Sequence, residues 1–222
     1  MDARLSVVVP TLDEAAGIER CLRALAPLRA RGHEVIVADG GSSDGTPQLA
    51  GRHCDRVVAA LRGRAQQMNA GAAVAAGDAL LFLHADTLLP PEADREVLVA
   101  LAARAWGRFD VSIDSRDARL ALVGFCMNWR SRLTGIATGD QAIFVRRADF
   151  PGFPPIALME DVAFSKAMKR VSPPACLRAR VSTSARRWES RGVTRTVFLM
   201  WQLRLRYWLG ADPDELARRY PH

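Results

Sequence analysis

A chain of 222 residues, 49% hydrophobic and 25% charged, has the size of one generous domain and can bury roughly 70% of its unfolded surface without a covalent staple. Its four cysteines, Cys21, Cys54, Cys126 and Cys176, form no C-x-x-C pair and no finger spacing with His, which argues against a disulfide framework or zinc site and suits lone thiols in a reducing cytosol. The formal charge of +7 rests almost wholly on Arg, with Lys only at 166 and 169; it reflects either a GC-rich coding sequence or attraction to anions such as nucleotide phosphates, acidic lipid or nucleic acid.

The apolar run LSVVV before Pro10 is too short for a signal-peptide core or a membrane helix, so a cytoplasmic protein is expected. Elements then alternate: a strand over LSVVVP, a helix from about Glu14 to Arg29, a strand over HEVIVAD, a short helix after Gly45 and a strand over RVVAA. A helix from about Arg64 to Ala76 and a strand over ALLFLHAD complete the first ninety residues. Such alternation of apolar runs with helical stretches predicts βαβ units and a parallel sheet covered on both faces. The bulk-poor helix MNAGAAVAAG must lie close to that sheet, because its glycines each cost about 1 kcal/mol of helix propensity and close packing has to compensate. Beyond Pro91 the pattern is mixed: a helix near 92–104, a strand over WGRFDVSI, a helix around 117–133 and a strand over DQAIFVRR. There follow a helix over LMEDVAFSKAMKR, a strand near CLRARVSTSA and a closing helix from about 194 to 209.

Ligands of open α/β sheets bind at the carboxyl ends of strands, which makes the ends at Pro10, Asp39 and Asp86 candidates for one site. VIVADGGSSDGT is no dinucleotide fingerprint: the middle glycine is Ser42, and the acid precedes the glycines. Asp39 instead stands where a carboxylate can accept from a ribose hydroxyl or base N–H, while Ser43 and Asp44 read as caps of the next helix. Pro10 and Thr11 end their strand free of ladder pairing, ahead of Leu12 and Glu14. Asp86 can hold Mg2+ or Mn2+ together with substrate phosphate oxygens. His84 shares its face by the two-residue period and is either a further ligand, one that favours Mn2+, or a satisfied half-buried histidine. Glu160 and Asp161 open a helix, where its dipole favours their charge.

The order strand-PTLDE, VADGGSSDGT, GRAQQMNAGAAVAAGDALLFLHADT and LMEDVAFSKAMKR resembles the nucleotide-sugar glycosyltransferases of family 2, with their GT-A fold, from about Leu5 to Arg170. HADT, WGRFDV, GDQAIFVRR and TSARRWE look like one bacterial subgroup of small members, a match that extends to the C-terminus. The resemblance implies a single GT-A type α/β domain with a mostly parallel mixed sheet. Residues 1–90 form its nucleotide-sugar-binding half, 91–190 its acceptor and catalytic half, and 191–222 a C-terminal helical segment. It further implies that Pro10, Thr11, Leu12, Glu14 and Asp39 hold the nucleotide and that Asp86 binds a metal-diphosphate. Asp161 is then the base of an inverting transfer from a nucleoside-diphosphate sugar, and Glu160 an acceptor-binding or supporting carboxylate. His84 departs from the family, which usually has Asp there. Arg64 is either a diphosphate contact or a solvated loop arginine. Arg186, Arg187 and Trp188 are either acceptor or pyrophosphate contacts or part of a basic surface strand.

The stretch from Thr194 to Gly210 mixes Phe, Trp, Tyr and Leu with Arg. It reads either as a helix lying in a membrane interface, with a lipid-linked acceptor, or as a terminal helix packed on the sheet or on a second subunit of a homodimer. A nucleotidyltransferase of sugar phosphates is the rival enzyme, but the early Gly-rich loop with Arg and Lys is missing. A noncatalytic nucleotide-sugar-binding module is the rival outside catalysis. Scattered arginines without interleaved aromatics argue against nucleic acid.

Overall fold

The computed structural model describes residues 3–220, except the side chain of Arg187. In chain order the strands are β1 (Leu5–Thr11), β2 (Glu34–Asp39), β3 (Arg56–Ala59), β4 (Ala79–Phe82), β5 (Thr87–Leu88), β6 (Trp106–Asp114), β7 (Phe144–Arg146) and β8 (Ala175–Ser184). The helices are α1 (Ala15–Ala24), α2 (Ala26–Ala30), α3 (Thr46–Ala50), α4 (Arg64–Val74), α5 (Ala93–Ala103), α6 (Ala118–Thr134), α7 (Glu160–Met168), α8 (Arg186–Arg191), α9 (Val193–Trp208) and α10 (Pro213–Arg219).

All strands join one sheet in the order β3-β2-β1-β4-β7-β6-β8-β5. The first four in that order run parallel, as expected of βαβ units, and the antiparallel pairing of β4 with β7 welds them to the second half. Along β1 the side chains alternate between two apolar layers. Val7 and Val9 pack with Ile18 and Leu22 of α1, whereas Val8 packs with Met68 of α4 and Phe164 of α7. β1 is buried throughout, which explains why its sequence is a continuous apolar run. Helix α4 lies close to the sheet as its small residues demand: a Cβ on Gly71 would stand 2.4 Å from Val8 Cγ1.

Several boundaries differ from expectation. The helix expected over 14–29 is two helices, because Pro27 lacks the N–H that would continue α1 and sits in the first turn of α2 instead. The strand expected over 79–86 stops at Phe82. Leu83 still donates to the Val8 carbonyl at 3.0 Å, but Thr87 then turns back to the His84 carbonyl and β5 pairs with β8 at the far edge. The two-residue period therefore does not govern His84 and Asp86. DQAIFVRR yields only the short β7, since residues 139–141 form a 3₁₀ turn and Ala142 has φ of 45°. SARRWE enters a helix, α8, and is not a surface strand. The four thiols are free, and burial pushes Cys21 up to about 12, with Asp86 and Glu14 adding to the effect.

Candidate active site

The carboxyl ends of β1, β2 and β4 meet at two interlocked loops. Asp13 donates its N–H to Ser42 Oγ at 2.9 Å and accepts from the Ser43 N–H at 2.8 Å. The Ala15 N–H, first in α1, donates to Asp44 at 2.8 Å, and the Glu14 N–H to Thr46 Oγ1 at 2.9 Å. Asp44 also accepts from the N–H of Thr46, so it serves the starts of both α1 and α3, more than the single cap expected. Together these bonds fix the turn that carries Pro10, Thr11, Leu12 and Glu14 along one wall of a cleft of about 540 Å³, a volume suited to a small-molecule ligand. β4 leaves the ladder beside Pro10, so the missing proline N–H costs no strand pairing there. Pro10 and Thr11 are nevertheless not free of the ladder as expected: they stay in register with Ala38 and Asp39 of β2, and the Thr11 carbonyl accepts from the Gly40 N–H at 2.9 Å.

Asp39 lies behind this wall. One carboxylate oxygen accepts from Thr11 Oγ1 and Ser42 Oγ at 3.0 and 2.5 Å, and the other from the N–H groups of Gly41 and Ser42 at 3.0 and 2.8 Å. All four acceptor positions are taken, so Asp39 here holds Thr11 and the loop in place instead of presenting oxygens to a ligand. Gln67 adds a clamp unforeseen from sequence, donating to the carbonyls of both Thr11 and Ala38.

Asp86, Arg64 and Glu160 all line the cleft, with Arg62 and Asp140 alongside. Asp86 is exposed. The half-buried His84 ring has Nδ1 3.5 Å from Asp140 Oδ1 and packs so tightly on Gly139 that a Cβ there would meet Nε2 at 2.5 Å. Among the described residues no three His, Cys, Asp or Glu side chains converge as a metal cage. One exposed carboxylate suits a hard cation that draws its other ligands from water and phosphate; His84, engaged with Asp140, adds less to such a site than the strand period implied.

Glu160 and Asp161 begin α7 immediately after Met159, whose φ of 70° turns the chain into the helix. Phe153 stacks on Phe164 of this helix with ring centroids 4.5 Å apart, anchoring its packing on the sheet. Burial pushes the Glu160 carboxyl up to about 7, the charge of Asp161 adds to this, and Arg64 opposes it. Burial likewise raises Asp161, against the Gly139 and Val162 N–H groups that donate to it at 3.0 and 2.7 Å. Only Glu160 of the two is on the main cleft wall. Asp161 lines a hollow of about 10 Å³ that shares His84 and Glu160 with the cleft. Arg64 is exposed on the cleft wall; partial loss of hydration there works against its charge, but Glu160, Tyr220, Asp140 and Asp161 outweigh it and raise its pKa.

From the C-terminal segment, Arg186 and Trp188 reach the cleft with Arg191, and Arg186 spans to Glu14 at 3.2 Å. The Arg187 side chain lies outside the described residues. Sequence reasoning also missed Asp140 and Arg130. Arg130 has Nε and Nη2 buried without a hydrogen-bond partner; burial lowers its pKa while Asp161 and Asp140 oppose the shift. The signal for Asp140 was present: Thr138 and Gln141 form a reciprocal capping box around it, legible as T-x-x-Q.

A family model described as "Glycosyl transferase family 2" matches residues 6–148. Curated relatives include PGL/p-HBAD biosynthesis glycosyltransferases of Mycobacterium tuberculosis and Mycobacterium bovis, 35% identical over 102 residues, which cover 43% of this chain and 40% of theirs. The chain thus matches well under half the length of those relatives. Among solved structures, S. aureus TarS in complex with UDP-GlcNAc is similar at TM-score 0.66 and 19% identity, over 82% of this chain and 58% of that one. Glucosyl-3-phosphoglycerate synthase from Mycobacterium tuberculosis, in complex with Mn2+, uridine-diphosphate and glucosyl-3-phosphoglycerate, is similar at TM-score 0.61 and 20% identity, over 82% and 71%. Both likenesses bear out the expected single α/β domain with a mixed sheet.

Proposed function

The chain belongs to glycosyl transferase family 2, and from that premise we propose that it transfers a sugar from a nucleoside diphosphate to an acceptor hydroxyl. The observation that carries the reading is the buried Glu160 facing, across one cleft, the strand-end loops, Asp86 and the Arg62–Arg64 segment, with the half-buried Asp161 in the hollow that adjoins it. The nucleoside lies along Pro10, Thr11, Leu12 and Glu14, whose positions Asp39 secures through Thr11. Arg64, held charged by its acidic surroundings, meets the diphosphate and stabilises the charge that grows there. Mg2+ or Mn2+ at Asp86, with His84 as the lesser donor, would supply further positive charge to the leaving group.

Asp161 is the base in this reading. The hollow it lines admits one water-sized atom beside the cleft, which is room for an acceptor oxygen, and the Gly139 N–H orients the carboxylate. The acceptor proton passes to Asp161 as the acceptor oxygen bonds to the sugar C1, and the electron pair of the broken C1–O bond leaves on the diphosphate with inversion. Glu160 lies on the wall between sugar and base. A second reading makes Glu160 the base, favoured by its place on the main cleft wall and a pKa near operating pH.

Calorimetric titration with UDP, GDP, CDP and TDP sugars, with and without Mn2+ or Mg2+, tests the proposal. One nucleotide is expected to bind, with metal dependence that Asp86→Ala removes. Binding of none, or metal dependence undiminished in Asp86→Ala, overturns the site as described.

A further inference from the structure

Two helices present apolar stripes to the outside. On α6 the exposed large side chains are Leu122, Phe125, Trp129 and Leu133, and the Phe125 and Trp129 rings lie 6.2 Å apart. On α9 they are Phe198, Trp201, Leu205 and Trp208. Spacings of three and four residues put each set on one helical face. The opposite faces are already used: Leu120 of α6 and Leu203 of α9 are buried in the core. Each helix is therefore apolar on two sides, one packed inward and one left without cover, and exposed patches of this kind mark interaction sites.

The start of α9 reaches α6, where Val193 shares an apolar cluster with Leu120 and Val123, and Met127 of α6 and Met200 of α9 both line the active-site cleft. Their charge selects the occupant. Each helix has three arginines and no acidic residue, in a chain whose formal charge is +7. Arg119 and Arg132 are paired with Asp117 and Asp110, but Arg195 and Arg206, eleven residues apart on one helical edge, flank the α9 stripe. Trp and Phe beside Arg are suited to a lipid headgroup region, where rings sit at the interface and guanidinium groups reach phosphates. No helix among the described residues is long and apolar enough to cross a membrane, so contact would be with the surface.

We infer that α6 and α9 together form a platform that seats the protein on an anionic bilayer and, resting on the transferase reading above, that the acceptor hydroxyl is borne on a lipid. The test is co-sedimentation of the full chain with vesicles of phosphatidylcholine, with and without phosphatidylglycerol. Binding to the anionic vesicles, weakened by salt, is expected. Trp201→Glu with Trp208→Glu, and separately Phe125→Glu with Trp129→Glu, should each lower the partition coefficient roughly tenfold or more, while nucleotide binding and the circular dichroism spectrum stay as in the parent. Absence of binding at low salt overturns the inference. So does loss in the α9 variant alone, or a dimer by light scattering that the same substitutions dissociate. Nucleotide titration separates the two proposals, since a chain that binds vesicles but no nucleotide sugar retains the platform and loses the transferase reading.

Discussion

Asp161 and Glu160 are adjacent in sequence yet stand in different surroundings, one in a hydroxyl-sized hollow under the Gly139 N–H and the other on the cleft wall. Asp161→Asn is expected to lower kcat by about 10²–10⁴-fold with donor binding retained, and Glu160→Gln to cost less; the reverse order would make Glu160 the base. Because burial raises the Asp161 carboxyl, activity should rise with pH as this base ionises, above the usual carboxylate range. Stability follows the opposite sign. A carboxyl whose folded pKa lies near 7 against an ordinary 4.5 holds its proton more tightly in the native state, so its contribution is complete below about 4.5 and is lost as pH rises through about 7. Urea melts across that interval should show the native chain losing stability with pH more steeply than Glu160→Gln.

At the scale of elements, placement of the site depends on how closely α4 approaches β1. Gly71 would ordinarily gain from replacement by Ala, by about 1 kcal/mol of helix propensity. Here the added methyl meets the fully buried Val8 at 2.4 Å, and overpacking of this kind costs about 1–3 kcal/mol. Gly71→Ala should therefore show a lower urea midpoint at unchanged m-value. The approach also brings Gln67 onto the Thr11 and Ala38 carbonyls, so loosening α4 should weaken nucleotide binding as well. The alanine-rich sequence forecast this contact; the loop interlock through Asp13, Ser42, Asp44 and Thr46 it did not, because those bonds join residues about thirty positions apart.

For the whole molecule, the first and second halves of the chain share one sheet, joined where β4 pairs with β7 and tied again by β5 on β8. A single cooperative unfolding transition is expected, with calorimetric and van't Hoff enthalpies equal. A nucleotide sugar at 100 times its Kd stabilises the native state by about 2.7 kcal/mol, which should raise that one Tm by about 5–10 °C for a chain of this size. Two separate transitions, or a shift in only one of them, would mean that the halves fold independently.

Local sequence determined the parallel β1–β4 unit, the closeness of α4 to the sheet and the identity of the strand-end acids, since apolar runs, small residues and loop carboxylates act through neighbours a few positions away. Tertiary structure decided the rest. It turned the chain at His84 toward the far edge of the sheet and so broke the strand period that linked His84 to Asp86. It saturated Asp39 with Thr11, Gly41 and Ser42 and set Asp140 against His84. It also left one apolar face of α6 uncovered. These outcomes depend on long-range pairing and on which surfaces remain after packing, and no local pattern records either.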